Sequence, residues 1–216
     1  EFGLPRELAL GDSATLWPEL LPGHDAAGPV GLIPHHATWD SFDWAGVASK
    51  AQMTVINPRQ APSAVIGQMR ACSRVLTESL HGAICADAMG IPWAACVLAH
   101  RFNEFKWRDW LATVNRPHEP LVMHVPLVRS ITRTKSVANR LARWVQYKRS
   151  TRRPALRPVA AATEQDVQRV AVVLRDYGRC ASNFSCSDPS DVARQKEQML
   201  SQCEQFAKDY KLLFTP

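Results

Sequence analysis

No apolar run in this chain is long enough to cross a bilayer. Its most apolar stretches, such as residues 91–99, reach only about half the ~20 residues that a membrane helix needs. No basic segment followed by an apolar one opens the sequence, so no secretory signal is expected. There is no CxxC pair, and Cys180 and Cys186 have no histidine at zinc-ligand spacing, which argues against a structural zinc site. The six cysteines are instead expected as reduced thiols in a cytoplasmic protein, with Cys72, Cys85 and Cys96 acting as small hydrophobes in apolar text. An initiator Met is also lacking, and the opening Glu1-Phe-Gly-Leu-Pro-Arg reads as the interior of a longer chain. Repeats are absent, and the only low-complexity run is Ala160-Ala-Ala162. One further absence is local: between Arg129 and Arg157 there are ten Lys or Arg and no acid, so this segment exceeds the +6 surplus of the whole chain. Such a patch suits phosphate-rich partners, either anionic lipid head groups or nucleic acid.

What is present is enough for a sizeable core. With 216 residues and 46% hydrophobic content, the chain is expected to fold as one main domain with appendages. Short apolar runs at 30–33, 53–56, 75–77 and 91–98 read as strands. Helical spacing at 44–52, 62–72 and 80–89 falls between them. Alternation of this kind with short connections predicts an α/β fold, a parallel sheet covered by helices on both faces. Residues 121–128 are ambiguous between strand and loop. A basic helix is expected at 130–148, a proline-containing linker at 152–162, and two further helices at 163–180 and 189–213. The expected organisation is therefore 1–117, 118–162 and 163–216.

Open α/β sheets bind ligands beyond the carboxyl ends of their strands. Polar residues fall there after each of the four expected strands: His35 and His36, Arg59, Glu78 to His81, then His100 and Arg101. The third position is the most suggestive. Thr77-Glu-Ser-Leu-His-Gly82 turns a strand into a helix, whose first N–H groups lack partners and attract phosphate or carboxylate. Ser79 is a natural N-cap, Gly82 would let a ligand approach the backbone, and His81 is suited to proton transfer near neutral pH. The motif alone leaves His81 open between that role and a packed structural histidine. Adjacent residues on extended chain point to opposite sides, so His35 and His36 are not expected to share a metal site. Arg59, Arg101 and Lys106 read either as surface charges or as an anion clamp. Trp107 and Trp110 share one helical face, either as core or as an apolar wall beside the cleft.

The run Thr77-Glu-Ser-Leu-His-Gly-Ala-Ile84, with Ala86-Asp-Ala88, Ile91-Pro-Trp93 and Phe105-Lys-Trp-Arg-Asp-Trp110, resembles the polysaccharide pyruvyl transferases, in the branch related to succinoglycan biosynthesis. Gly31-Leu-Ile-Pro-His-His36 and Ile56-Asn-Pro-Arg59 are similar to that branch as well, and the resemblance spans roughly residues 3–111. It implies the C-terminal half of a two-domain, glycosyltransferase-B-like enzyme, each half Rossmann-like. It also implies transfer of pyruvate from phosphoenolpyruvate to a sugar as a ketal, without a metal or other cofactor. In these terms His81, His35 and Glu78 are the catalytic candidates. Ser79, Gly82, Arg59, Arg101 and Lys106 are the substrate-binding ones. Several relatives have an Arg where Ser79 stands, which gives Arg101 and Lys106 more of the anion to hold. The implied acceptor is the sugar of a lipid-linked oligosaccharide at the inner face of the cell membrane, with the segment from Arg129 to Arg157 touching anionic lipid. A homodimer supplying a second wall is one arrangement the resemblance leaves open, and a non-catalytic anion-binding half is the alternative function. No recognised nucleic-acid motif accompanies the basic segment, so nucleic acid is not an expected partner.

Overall fold

All four expected strands are present in the computed structural model, which describes residues 11–20, 24–98, 102–123, 125 and 162–209. In chain order the elements are a 3-10 helix (Ser13–Leu20), β1 (Val30–Ile33), α1 (Trp44–Ala51), β2 (Met53–Val55), α2 (Pro62–Arg70), β3 (Arg74–Thr77), α3 (Leu80–Ala88), β4 (Trp93–Val97), α4 (Glu104–Thr113) and β5 (Leu121–Val122). Two long helices follow, α5 (Glu164–Arg179) and α6 (Pro189–Asp209). β5 decides the ambiguous stretch after residue 120 in favour of a short strand. The expected basic helix, and with it the segment from Arg129 to Arg157, lies outside the described residues.

Local chemistry explains most of the boundaries. The Asp43 carboxylate accepts the Gly46 N–H at 2.9 Å and starts α1. Pro62 occupies the first turn of α2, where its missing N–H is no loss. Thr163 and Asp166 form a reciprocal capping box at the start of α5.

The five strands are all parallel and lie in the order β2-β1-β3-β4-β5. Crossovers between parallel strands are right-handed, so the side taken by each helix follows from the direction of travel. The chain moves one way from β1 to β2, which puts α1 on one face. It then moves the other way from β2 to β3, β4 and β5, which puts α2, α3 and α4 on the opposite face. Left alone, this would leave β3 and β4 bare on the α1 side. α5 fills the gap: Val167, Val170, Ala171 and Leu174 join Leu32, Leu76, Ala94, Cys96 and the α1 residues Trp44, Val47 and Ala48 in one buried cluster. The other face packs Ile33, Val75, Trp93 and Ala95 against Ile66, Met69, Ala83, Ile84, Trp107, Trp110 and Leu111. Both faces are thus covered, as the near-continuous apolar strands require. The fold is a Rossmann-like α/β sheet followed by C-terminal helices.

Trp107 and Trp110 belong to this second cluster, with ring centroids 6.1 and 5.5 Å from that of Trp93. They are core, and the cleft wall is made elsewhere. All six cysteines are unpaired, and burial pushes the thiols of Cys72 and Cys85 up to about 11, which leaves them inert at neutral pH. No helix among the described residues is long and apolar enough to cross a membrane.

Because Leu174 is fully buried among sheet residues, Leu174→Ala is expected to cost about 2–5 kcal/mol, and to shift a single unfolding transition in urea. A change under about 0.5 kcal/mol, of the size seen at surface sites, would show that α5 is not part of the core.

Candidate functional site

The strand order reverses between β1 and β3, and in open sheets the crevice beyond the carboxyl ends at such a point receives the ligand. Glu78 sits at that place, directly after β3, with only 3% of its surface exposed. Its Oε2 accepts the His35 N–H at 3.1 Å, from the loop after β1, and its Oε1 accepts the Leu98 N–H at 2.9 Å, at the end of β4. Its own N–H donates to the Ile33 carbonyl at 2.9 Å. One carboxylate therefore ties together the exits of three adjacent strands. A carboxylate held by backbone N–H groups in this way positions its neighbours.

His35 and His36 differ from the expectation for extended chain. Residues 36–38 form a turn, and the two rings lie side by side with centroids 4.2 Å apart. His35 is half-buried, and its Nδ1 accepts the Ala37 N–H at 3.2 Å. Burial, and secondarily the neighbouring His36, hold the His35 imidazole below its ordinary pKa, so it is neutral at pH 7. Arg59 reaches into the same loop. Its Nε donates to the His36 carbonyl at 2.9 Å and its Nη1 to the Asp40 carboxylate at 2.5 Å. Arg59, His36, His35 and Glu78 thus form one connected rim across the ends of β2, β1 and β3.

The start of α3 is organised differently from the sequence expectation. Ser79 occupies the N-cap position, yet its side chain makes no capping hydrogen bond. The Thr77 hydroxyl serves that turn instead, accepting the Ser79 N–H at 2.9 Å and donating to the Ser79 carbonyl at 3.0 Å. Gly82 is buried, and a Cβ there would stand 2.6 Å from Thr77 Oγ1 and 3.3 Å from the Ile33 side chain. Its smallness lets α3 seat on β1 and β3, so ligand approach is not what requires it. His81, by contrast, is 73% exposed at the side chain and turns its Nε2 toward Asp12 Oδ2, 3.3 Å away. It is no packed core histidine.

Asp12 is the residue that sequence reasoning missed. Its Oδ1 accepts the Ala14 N–H at 2.9 Å and so starts the 3-10 helix that packs on α3. A short polar residue before Ser13-Ala14 was the available signal, but it marks a turn and says nothing of a histidine far along the chain. The 3-10 segment is itself held from α6: the Thr15 hydroxyl donates to Gln195 Oε1 at 3.2 Å, and Gln195 Nε2 donates to the Thr113 hydroxyl at 2.6 Å. Gly11, at φ +82, leaves room for that Gln195 amide, which a Cβ would strike.

Lys106 lies exposed in the first turn of α4, where the Asn103 side chain accepts its backbone N–H. Arg101 and His100 lie outside the described residues. Among the described residues no three His, Cys, Asp or Glu side chains gather as metal ligands.

With this geometry in view, the chain is 30% identical over 122 residues to the "Succinoglycan biosynthesis protein ExoV" of Rhizobium meliloti (strain 1021). The match covers 56% of this chain and 39% of the relative, so the two are distant relatives over part of their lengths. No family model matches, and neither does any solved structure.

Glu78→Gln keeps the shape but offers one acceptor where two N–H groups point, and is expected to cost about 1–3 kcal/mol of stability in urea unfolding. His35 adds a pH dependence. Its native pKa is depressed, so the unfolded chain binds the proton more readily. Stability should hold above the ordinary histidine pKa of about 6.5 and fall as pH drops through it toward the native value. Melting temperature against pH should show a shallower fall in His35→Gln than in the unmodified protein.

Proposed function

We propose that the chain is a polysaccharide pyruvyl transferase, or the donor-binding half of one, acting in exopolysaccharide biosynthesis. The observation that carries this reading is the position of the Glu78-to-Gly82 turn. It lies at the reversal point of the sheet, with an exposed histidine beside a helix N-terminus, in a chain related to a succinoglycan biosynthesis protein.

Phosphoenolpyruvate has a phosphate and a carboxylate to be held. The open N–H groups in the first turn of α3 suit one of them, with Arg59, Lys106 and Arg101 as the candidate cations for the other. Asp12 orients the His81 ring. Protonated His81 then gives its proton to the methylene carbon, the double-bond pair forms the new C–H bond, and an oxocarbenium-like carbon results. A sugar hydroxyl attacks that carbon and passes its proton to neutral His35. The bond between that carbon and the phosphate oxygen breaks, phosphate leaves with the electron pair and takes the proton from His35, and a second hydroxyl closes the ketal while returning a proton to His81. Glu78 acts here by fixing the strand exits. The basic stretch from Arg129 to Arg157 suits docking on anionic lipid at the cytoplasmic membrane face, where a lipid-linked acceptor would be presented.

The alternative reading is an anion-binding half without turnover. The two separate in one assay. Purified chain is mixed with phosphoenolpyruvate and a lipid-linked sugar extract, and phosphate release is followed beside thermal stabilisation. The transferase reading expects release that drops about 10²–10⁴-fold in His81→Ala, the range typical of a lost acid–base group, with folding retained. Unchanged release in that variant would refute the role of His81. Stabilisation by phosphoenolpyruvate without release would leave the binding module, and the absence of both would end both readings.

A further inference from the structure

An exposed side chain moves freely between rotamers unless something holds it, and the His81 side chain is 73% exposed. Its partner is Asp12, whose Oδ2 lies 3.3 Å from the His81 Nε2. The same carboxylate stands near Cys85, one turn along α3 and on the same face of the helix. Burial first, and the Asp12 charge second, push that thiol up to about 11. What orients His81 therefore depends on what holds Asp12 over this face.

Asp12 is tied into the turn that follows it. Its Oδ1 accepts the Ala14 N–H at 2.9 Å, and its carbonyl accepts the Thr15 N–H at 3.0 Å. Thr15 is the anchored end of that turn. It is 3% exposed, and its hydroxyl donates to Gln195 Oε1 at 3.2 Å. A continuous line of contacts thus runs from α6 through Thr15 and Asp12 to His81.

The Gln195 amide does more than fill space. The buried residues of α6 are Gln195, Met199 and Ala207, and the other two are apolar. Burying an amide is unfavourable unless its ends are bonded. Here both ends are bonded, and in one orientation only. The Thr113 hydroxyl already donates to the Trp110 carbonyl at 2.7 Å, so toward Gln195 it can only accept, and it takes the Nε2–H at 2.6 Å. Oε1 is thereby turned to Thr15, whose hydroxyl is the donor. An apolar side chain of equal volume would pack α6 but could not hold this turn. Gly11, at φ +82, adds a second fit, because a Cβ there would collide with the Gln195 amide. The segment carrying Asp12 is shaped to the amide as well as bonded to it.

We propose that Gln195 is a positioning residue for His81, acting through Thr15 and Asp12 from the last helix of the fold. Its bearing on catalysis rests on the transfer reading, while its bearing on the orientation of His81 does not.

The test reads His81 without substrate, by the NMR signal of its ring Cε1–H at one fixed pH, assigned by its loss in His81→Gln. Asp12→Asn sets the displacement that follows removal of the carboxylate. Gln195→Met, of similar length and volume, is expected to reproduce most of that displacement. Thr15→Val should do the same, and keeps the proposal testable if the first variant does not fold. Combining Asp12→Asn with Gln195→Met should move the signal by less than the sum of the two. Met199→Ala is the control. It removes packing from the same helix without touching the amide, so it should lower the melting temperature and leave the signal in place. In turnover, Gln195→Met should lower kcat for phosphate release from phosphoenolpyruvate by up to about 10²-fold with KM little changed, the pattern of a misplaced group. The proposal is overturned by a His81 signal unmoved in both Gln195→Met and Thr15→Val, by an equal displacement in Met199→Ala, or by full additivity in the double variant. Where release occurs, an unchanged kcat in both variants overturns it too. Absence of release in the unmodified protein would end the transfer reading alone, since the NMR comparison needs no turnover.

Discussion

The handedness of the crossovers is the constraint on which the rest of this molecule depends. Because each strand–helix–strand unit must turn the same way, the single reversal of direction after β2 decides three things together. It sends α1 to one face and α2, α3 and α4 to the other. It parts the loops after β1 and β3 and opens the crevice between them. It also leaves the sheet short of cover on the α1 side, a debt that α5 meets from far along the chain. α5 is for this reason as much a part of the core as the helices between the strands.

At the crevice, the protein uses one buried carboxylate to hold what the sheet leaves apart. Parallel strands end in loops with unsatisfied N–H groups, and Glu78 accepts from two of these loops at once. The loop after β1 is then free to fold back as a turn, which brings the two imidazoles together and lets Arg59 brace them from the next strand. The candidate side chains are thus set on a rim whose shape is fixed largely by hydrogen bonds to backbone groups. His81 projects into solvent on the first turn of α3.

The strands and the helices between them were legible because each is written as a local pattern: short apolar runs with Gly or Pro beside them, Pro62 at a helix start, and Thr163 with Asp166 at another. The position of the turn at residues 78–82 was legible for the same reason. What could not be read is everything that depends on partners distant in sequence. The stripe of Val167, Val170 and Leu174 announces a buried face, but not that Leu76 and Trp44 lie under it. Ser79 has the right chemistry for a cap, but its side chain makes no capping bond, and Thr77, fixed at the end of a strand, accepts the backbone N–H of Ser79. Gly82 in a suspected binding turn suggested ligand access, whereas the hydroxyl of Thr77 and the side chain of Ile33 occupy the space a Cβ would need. A cavity at the start of β4 is assembled from residues near 93, 116 and 187, and no single stretch of text contains it.

The bond between Thr15 and Gln195 has an evolutionary consequence. Asp12 reaches His81 from a short helix that is pinned by an amide from the last helix, with Gly11 making room for it. Substitutions in α6 that never touch the crevice therefore bear on the histidine, and drift at one of these places narrows what is tolerated at the others. Gly11, Asp12, Thr15, Thr113 and Gln195 should be inherited as a set, and a lineage that loses one is released from keeping the rest.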